Sequence, residues 1–181
     1  MNVLPTSLPG VLLIGAQVFS DDRGYFFESF NEREFAKKTG LTPHFVQDNF
    51  SRSRQHVLRG LHYQIRHAQA KLVRVTRGAA FDVVVDIRRS SPTFGKWFGV
   101  TLSDTNNLML WIPEGFAHGF LALSDEVDMY YKTNQYWDKD SERSLLWNDP
   151  QIGIQWPNEA EPLLSPKDKE GKKLDQAEVF A

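Results

Sequence analysis

The sequence predicts an all-β chain, a sandwich or barrel of the jelly-roll type, and three observations point there. Short apolar runs recur along its 181 residues. Clusters of turn residues separate them, and within the runs apolar and polar side chains alternate with the period of two that strands require. Strands of about five to eight residues that close on a cavity are the sequence signature of such barrels. The turn clusters are SDDRG (20–24), TRGA (76–79), SSPTFG (90–95), SDTNN (103–107) and SDE (124–126).

In chain order, the first regular exception is a helix at 31–39. There NEREFAKKTG offers Asn31 as N-cap, Glu34 three residues on, and Gly40 as the stop. VLRGLHYQ (57–64) follows as a strand with Leu58, Gly60, His62 and Gln64 on one face. KLVRV places Lys71 with Val73 and Val75. In AFDVVVDI, Phe81, Val83, Val85 and Ile87 share one face, with Asp82 and Asp86 on the other. LWIPEGFAHGFLAL turns at Pro-Glu-Gly and then carries His118 on the face of Phe120 and Ala122. VDMYYKTN groups Val127, Met129, Tyr131 and Thr133. From Asn158 onward the Pro-, Lys- and Glu-rich tail reads as extended segments and short turns laid over the body. No linker or internal repeat divides residues 1–181, so one domain is expected.

Composition narrows the function. Lys and Arg number 21 against 23 Asp and Glu, so the bulk charge asks for neither nucleic acid nor an anionic membrane. Any anionic ligand must be met by a local basic site. Cysteine is absent, which removes disulfides and thiolate ligands or nucleophiles and fits a cytoplasmic protein. The N-terminal LPGVLLIGAQVF lacks a basic lead and is broken by Pro9, Gly10 and Gly15, so neither a signal peptide nor a membrane span is expected.

The polar residues on inward faces carry the chemistry. His62 and Lys71 point into one apolar interior, where Lys is almost never buried without a partner. Either Lys71 snorkels from a strand end and His62 is a satisfied core histidine, or the two belong to a site. His118 on a second strand favours the site. The PEGFAH spacing, Pro-x-Gly-x-x-His, matches the second motif of the cupins, a jelly-roll superfamily. The first cupin motif would want His-x-His and then an acid, whereas this chain has His62-Tyr63-Gln64 followed by Ala68 and Gln69. An open catalytic metal site needs three or more protein ligands, and two histidines with no placed carboxylate do not supply them. A metal-free cavity is therefore expected, and the chain shows neither a dinucleotide fingerprint nor a P-loop.

Without metal or redox cofactor, a His can take a proton from a carbon next to a carbonyl. A cationic Lys71 would stabilise the resulting enolate oxygen, and Tyr131 could return a proton from another side, although an ordinary core tyrosine would fit the same pattern. Removal on one face and return on the other is epimerisation. Arg23, Arg59 and Lys71 would make a locally cationic mouth suited to a diphosphate. Phe26, Tyr136 and Trp137 are candidates to stack a base, or are simply core aromatics.

DDRGYFFESFN, FVQDNFSRS, VLRGLHYQ, AQAKLVRV, FDVVVDIRRSSPTFGKW, LWIPEGFAHGF, LLWNDPQIGIQWP and LSPKDKEG, in this order from about Pro9 to about Gln176, resemble the dTDP-4-dehydrorhamnose 3,5-epimerase family. The resemblance implies a cupin-like jelly-roll barrel with a few short peripheral helices. It implies a cytoplasmic homodimer without cofactor or metal, acting on the sugar nucleotide dTDP-4-dehydro-6-deoxy-D-glucose. It makes His62 the base, Asp168 its orienting acid, Tyr131 the proton donor and Lys71 the enolate stabiliser. Substrate contacts carry over to Arg23, Phe26, Glu28, Gln47, Asp48, Asn49, Arg59, Lys71, His118, Tyr136, Glu142 and Lys167. Arg23 and its neighbours are expected to reach the partner's cavity through exchanged N-terminal strands. A single-centre epimerase, a non-catalytic sugar-nucleotide-binding cupin and a metal-dependent cupin oxygenase are the competing readings.

Overall fold

Alternation sorts the strands into two facing antiparallel sheets. The computed structural model describes residues 1–157 and 160–181. The first strands are β1 (Asn2–Pro5), β2 (Leu12–Gly15), β3 (Phe19–Asp21) and β4 (Gly24–Phe26). After helix α1 (Glu32–Thr39) come β5 (Gln47–Arg54), β6 (Leu58–Gln64), β7 (Lys71–Arg77) and β8 (Ala79–Asp86). The chain continues with β9 (Trp97–Ser103), β10 (Leu108–Ile112), β11 (Phe116–Ala122), β12 (Glu126–Thr133), β13 (Glu142–Ser144) and the one-turn helix α2 (Pro166–Lys169).

One sheet runs β1-β2-β10-β7-β12-β5 and the other β13-β6-β11-β8-β9, while β3 and β4 form a separate hairpin. Between the sheets Val73, Val75, Leu110, Val127 and Met129 meet Ala80, Val84, Leu102, Phe116 and Phe120. Each fully buried aliphatic side chain there contributes about 1.5–3 kcal/mol. This apolar packing fills part of the inter-sheet space, and Phe120 and Met129 also border the polar cavity that occupies the rest.

Both sheets are covered on their outer faces as well. Leu61, Tyr63, Val83, Val85 and Ile87 pack against Leu145, Ile152 and Leu174, so the segment from Leu145 onward forms a third layer over the five-stranded sheet. Phe35 of α1 packs with Ile14, Leu72, Met109 and Trp111 on the other side. The Asn31 side chain accepts from the Glu34 N–H and Gly40 closes the helix at φ 73°, as the capping pattern predicts.

This third layer changes the meaning of the alternation in β8. Phe81, Val83, Val85 and Ile87 do share a face, but it is the one under the C-terminal layer. Asp82 consequently points inward and is fully buried. The tail is pinned to the body at Val57–Leu163, Leu145–Lys172 and Arg88–Phe180, as the expected overlay of extended segments and turns. That expectation begins at Asn158, and residues 158 and 159 lie outside the described residues.

Candidate active site

The strand β6 delivers its inward face to a cavity of about 570 Å³ between the sheets. Gly60 makes this possible. Its φ is 121°, and a Cβ there would sit 2.5 Å from the Gly119 Cα, so only glycine lets β6 approach β11 this closely. The pairing slips beside it, between His118 and Phe120, and puts His62 directly opposite His118. The slip also interrupts strict alternation, so Arg59 reaches the cavity rim together with Leu58.

His62 Nε2 lies 2.6 Å from Asp168 Oδ1, across 106 residues of sequence. The Gly60 N–H donates to the same oxygen at 3.3 Å, and Ser165 Oγ donates to Asp168 Oδ2 at 2.6 Å. Burial pushes the Asp168 carboxyl up, but these donors more than reverse it and hold its pKa below 3.8. Burial likewise holds His62 below its ordinary 6.5, against the pull of Asp168 and with help from Lys167 and Lys71. At neutral pH the pair is therefore a neutral imidazole donating Nε2–H to a carboxylate, which leaves Nδ1 free to accept a proton.

The opposite wall belongs to the six-stranded sheet. Lys71 and Tyr131 lie on β7 and β12, with the Lys71 ammonium 6.0 Å from the centroid of the Tyr131 ring. Burial lowers Lys71 to about 8, and Asp82 and Glu142 resist that fall through space. Tyr131 is pushed above 10 by burial and by Glu142, so its hydroxyl keeps its proton. Glu142, on β13 beside Gln64, pairs with Lys167. His118 Nε2 lies 2.9 and 3.0 Å from the two oxygens of Asp82.

The cavity thus brings together His62, Asp168, Lys71, Tyr131, Arg59, His118, Glu142 and Lys167 from the sequence-predicted set. Gln47 and Asn49 line a smaller adjoining recess that shares Tyr131 and Trp137 with it. Five other positions are not brought to this cavity within one chain. Arg23 and Phe26 sit on the exposed β3–β4 hairpin, and Glu28 follows it, bonded to the Asn31 amide. Asp48 occupies the alternate face of β5, where it pairs with Lys132 at 2.8 Å. Tyr136 is 68% exposed beside Trp137, and of the two it is Trp137 that borders the cavity.

Three residues escaped the sequence reading. Asp82 was visible as an acid in an apolar run, yet a polar alternate face ordinarily means solvent. Ser165 has only the Ser-Pro-Lys-Asp helix-start signature to announce it. Gln64 was placed on the inward face without a role. Its amide donates to the His67 and Tyr136 carbonyls and accepts from the Asp138 N–H, which fastens the segment that carries Trp137.

Both cavity histidines have a ring nitrogen committed to a carboxylate, and among the described residues no group of three or more His, Asp or Glu side chains is placed to hold an ion.

Comparison with known proteins follows the same line. The family model described as dTDP-4-dehydrorhamnose 3,5-epimerase matches residues 5–176. A protein of that name from Shigella flexneri is 55% identical over 181 residues, covering 99% of both chains. Its counterpart in Pseudomonas aeruginosa is 53% identical over 180 residues, again with 99% of each chain. Among solved structures, a 3,5-epimerase from Legionella pneumophila in complex with dTDP-4-keto-L-rhamnose superposes with a TM-score of 0.95 at 47% identity, covering 98% of this chain and 94% of that one.

Proposed function

Because the chain belongs to the dTDP-4-dehydrorhamnose 3,5-epimerase family, we propose that the cavity residues divide its chemistry as follows. The enzyme is an isomerase that epimerises dTDP-4-dehydro-6-deoxy-D-glucose at carbons 3 and 5, giving dTDP-4-dehydro-L-rhamnose. His62 Nδ1 takes the proton from the carbon next to the keto group. The C–H electron pair moves into a C–C double bond and the carbonyl pair moves onto oxygen, forming an enolate. The Lys71 ammonium faces that oxygen, a stabilisation worth about 3–4 kcal/mol per donor. His62 acts at carbons 3 and 5 in turn, Tyr131 donates its phenolic proton to the opposite face at carbon 5, and exchange with solvent restores both groups.

The observation that carries this reading is the placement of base and acid on facing sheets. His62 belongs to the five-stranded sheet and Tyr131 to the six-stranded one, yet both line one cavity with Lys71 beside the tyrosine. A sugar ring lying between the sheets is approached from two sides, as inversion demands. Arg59, held by the Ser53 hydroxyl and the Arg52 carbonyl at 3.0 Å each, presents its guanidinium at the rim for the diphosphate. Gln47, Asn49, His118, Glu142, Lys167 and Trp137 surround the rest of the sugar nucleotide.

The remaining predicted contacts need a second copy of the chain. Phe19, Tyr25 and Phe26 are 56, 59 and 67% exposed on the β3–β4 hairpin, an apolar arm that one protomer leaves uncovered. In the homodimer this arm carries Arg23, Phe26 and Glu28 to the partner's cavity. Asp48 and Tyr136 lie outside that cavity, Asp48 paired with Lys132 on the alternate face of β5 and Tyr136 exposed beside Trp137. We place the enzyme in the cytoplasm, which a chain without cysteine fits; among the described residues no helix is long and apolar enough to cross a membrane.

Proton NMR of the substrate in deuterium oxide tests the assignment. Wild-type enzyme is expected to exchange both carbons 3 and 5, His62→Ala neither, and Tyr131→Phe to keep exchange at carbon 3 while product formation falls about 10²–10⁴-fold. Full exchange by His62→Ala would discard the base. Mixing inactive Arg23→Ala with inactive His62→Ala should restore activity, since a hybrid dimer regains one intact cavity.

A further inference from the structure

The helix α2 is only one turn long, yet it holds the acid on which the base depends. Pro166 at its first position pre-sets the backbone, and Ser165, extended at φ −69° and ψ 160°, caps it by accepting from the Asp168 N–H at 3.2 Å. The Ser165 hydroxyl then donates its own proton to Asp168 Oδ2 at 2.6 Å. Asp168 is 2% exposed, and its other oxygen already receives His62 and the Gly60 N–H. A buried carboxylate free to turn about its last bond would present either oxygen to His62. The serine removes that freedom by occupying one of them.

We propose that Ser165 is a positioning residue of the epimerase, acting through Asp168 to orient and support His62, so that the working unit is Ser165–Asp168–His62. It rests on the assignment of His62 as base. The helix cap and the hydrogen-bond relay are one hydroxyl doing both, because the cap residue lies three positions before the acid and faces it across the turn. The charged and titratable groups sharing the cavity with His62 include Asp168 and Lys167 from α2, Arg59 from β6, Lys71 from β7, His118 from β11, Tyr131 from β12 and Glu142 from β13.

A double-mutant cycle on the full-length enzyme separates this role from ordinary helix capping. Steady-state rates are normalised to folded protein by circular dichroism. Ser165→Ala is expected to lower kcat about tenfold with KM nearly unchanged, the loss equivalent to one charge-assisted hydrogen bond. Ser165→Thr, which keeps the hydroxyl, restores most of that rate. In an Asp168→Asn background, Ser165→Ala should cost nothing further, because the path runs through the carboxylate. The acid limb of the Ser165→Ala profile should move to lower pH, since a disoriented Asp168 supports the imidazolium less.

A tenfold loss that persists in the Asp168→Asn background overturns the proposal, as does wild-type kcat with only a lowered Tm. The parallel His62→Ala control keeps the two failures apart. If that variant retains exchange, the base assignment falls and Ser165 with it. If it is inert while the cycle is additive, only the role of Ser165 is lost.

Discussion

Replacing Lys71 by Met should make this enzyme more stable and nearly inactive. Lys71 is 9% exposed, and burial lowers its ammonium from the ordinary 10.5 to about 8. That drop corresponds to about 3 kcal/mol by which folding disfavours the charged form. Below pH 8 both folded and unfolded chains carry the charge and the folded state bears the whole cost. Between pH 8 and 10.5 the folded chain releases its proton first, the unfolded chain binds more, and stability rises with pH. Lys71→Met keeps the volume of the stem and removes the charge. Urea unfolding at pH 7 should therefore show the variant more stable by up to about 3 kcal/mol. The advantage should shrink steadily from pH 8 and vanish near 10.5. In the same preparation kcat should fall about 10²–10³-fold through loss of the enolate contact. A variant less stable than wild type at pH 7, or an advantage that does not change up to pH 10.5, would refute the reasoning.

The wild-type rate should also reflect both ends of this electrostatics. Since burial holds His62 below 6.5, the acid limb of kcat/KM is expected to inflect below pH 6.5 and the basic limb near pH 8 as Lys71 discharges. The same depressed His62 value makes stability fall as pH drops below 6.5, which a thermal melt series would record. His118→Phe leaves the fully buried Asp82 carboxylate unpaired and should cost about 3–5 kcal/mol in urea unfolding, much of it recovered by adding Asp82→Leu. Gln64→Leu strips three hydrogen bonds from the segments around Trp137, so KM should rise severalfold while kcat holds. An unchanged KM would show that the segment is fixed by its other bonds, from the Trp137 N–H to the Gln47 side chain and from Gln69 and Thr133 to the Gln135 carbonyl.

Much of this molecule could be read from its alternation and caps. Helix α1 was bounded by Asn31 and Gly40, and the inward sets on β6, β7, β11 and β12 followed from a period of two, because each of those strands turns one face to the interior. Asp82 shows where that logic stops. With a C-terminal layer over the five-stranded sheet, apolar Val83 and Val85 mark the outer face, and a reader of the single strand has no means of knowing that a distant segment covers it. Asp168 and Ser165 fail for a related reason. Their local sequence specifies a helix start, whereas the roles proposed for them rest on the contact of Asp168 with a strand more than a hundred residues earlier. Only resemblance to a family supplied a role for Asp168; Ser165 stands in the same LSPKDKEG stretch, but the resemblance assigned it none.

The pairings in the cavity explain why Lys71 is the group left under strain. Asp82 is taken by His118 and Glu142 by Lys167, so each acid nearest Lys71 has another partner. Among the described residues, no ion pair within 4.0 Å relieves the Lys71 ammonium. A carboxylate placed on Lys71 would have raised its pKa and secured its charge, but it would also have occupied the ammonium before any substrate arrived. Stabilisation that already exists in the resting enzyme contributes nothing to the barrier, because only contacts stronger in the transition state do so. Holding Asp82 and Glu142 at range is the compromise. They oppose the fall of Lys71, which stops at about 8 so that it remains charged at neutral pH, while its hydrogen-bonding capacity stays open to the enolate oxygen it is proposed to meet.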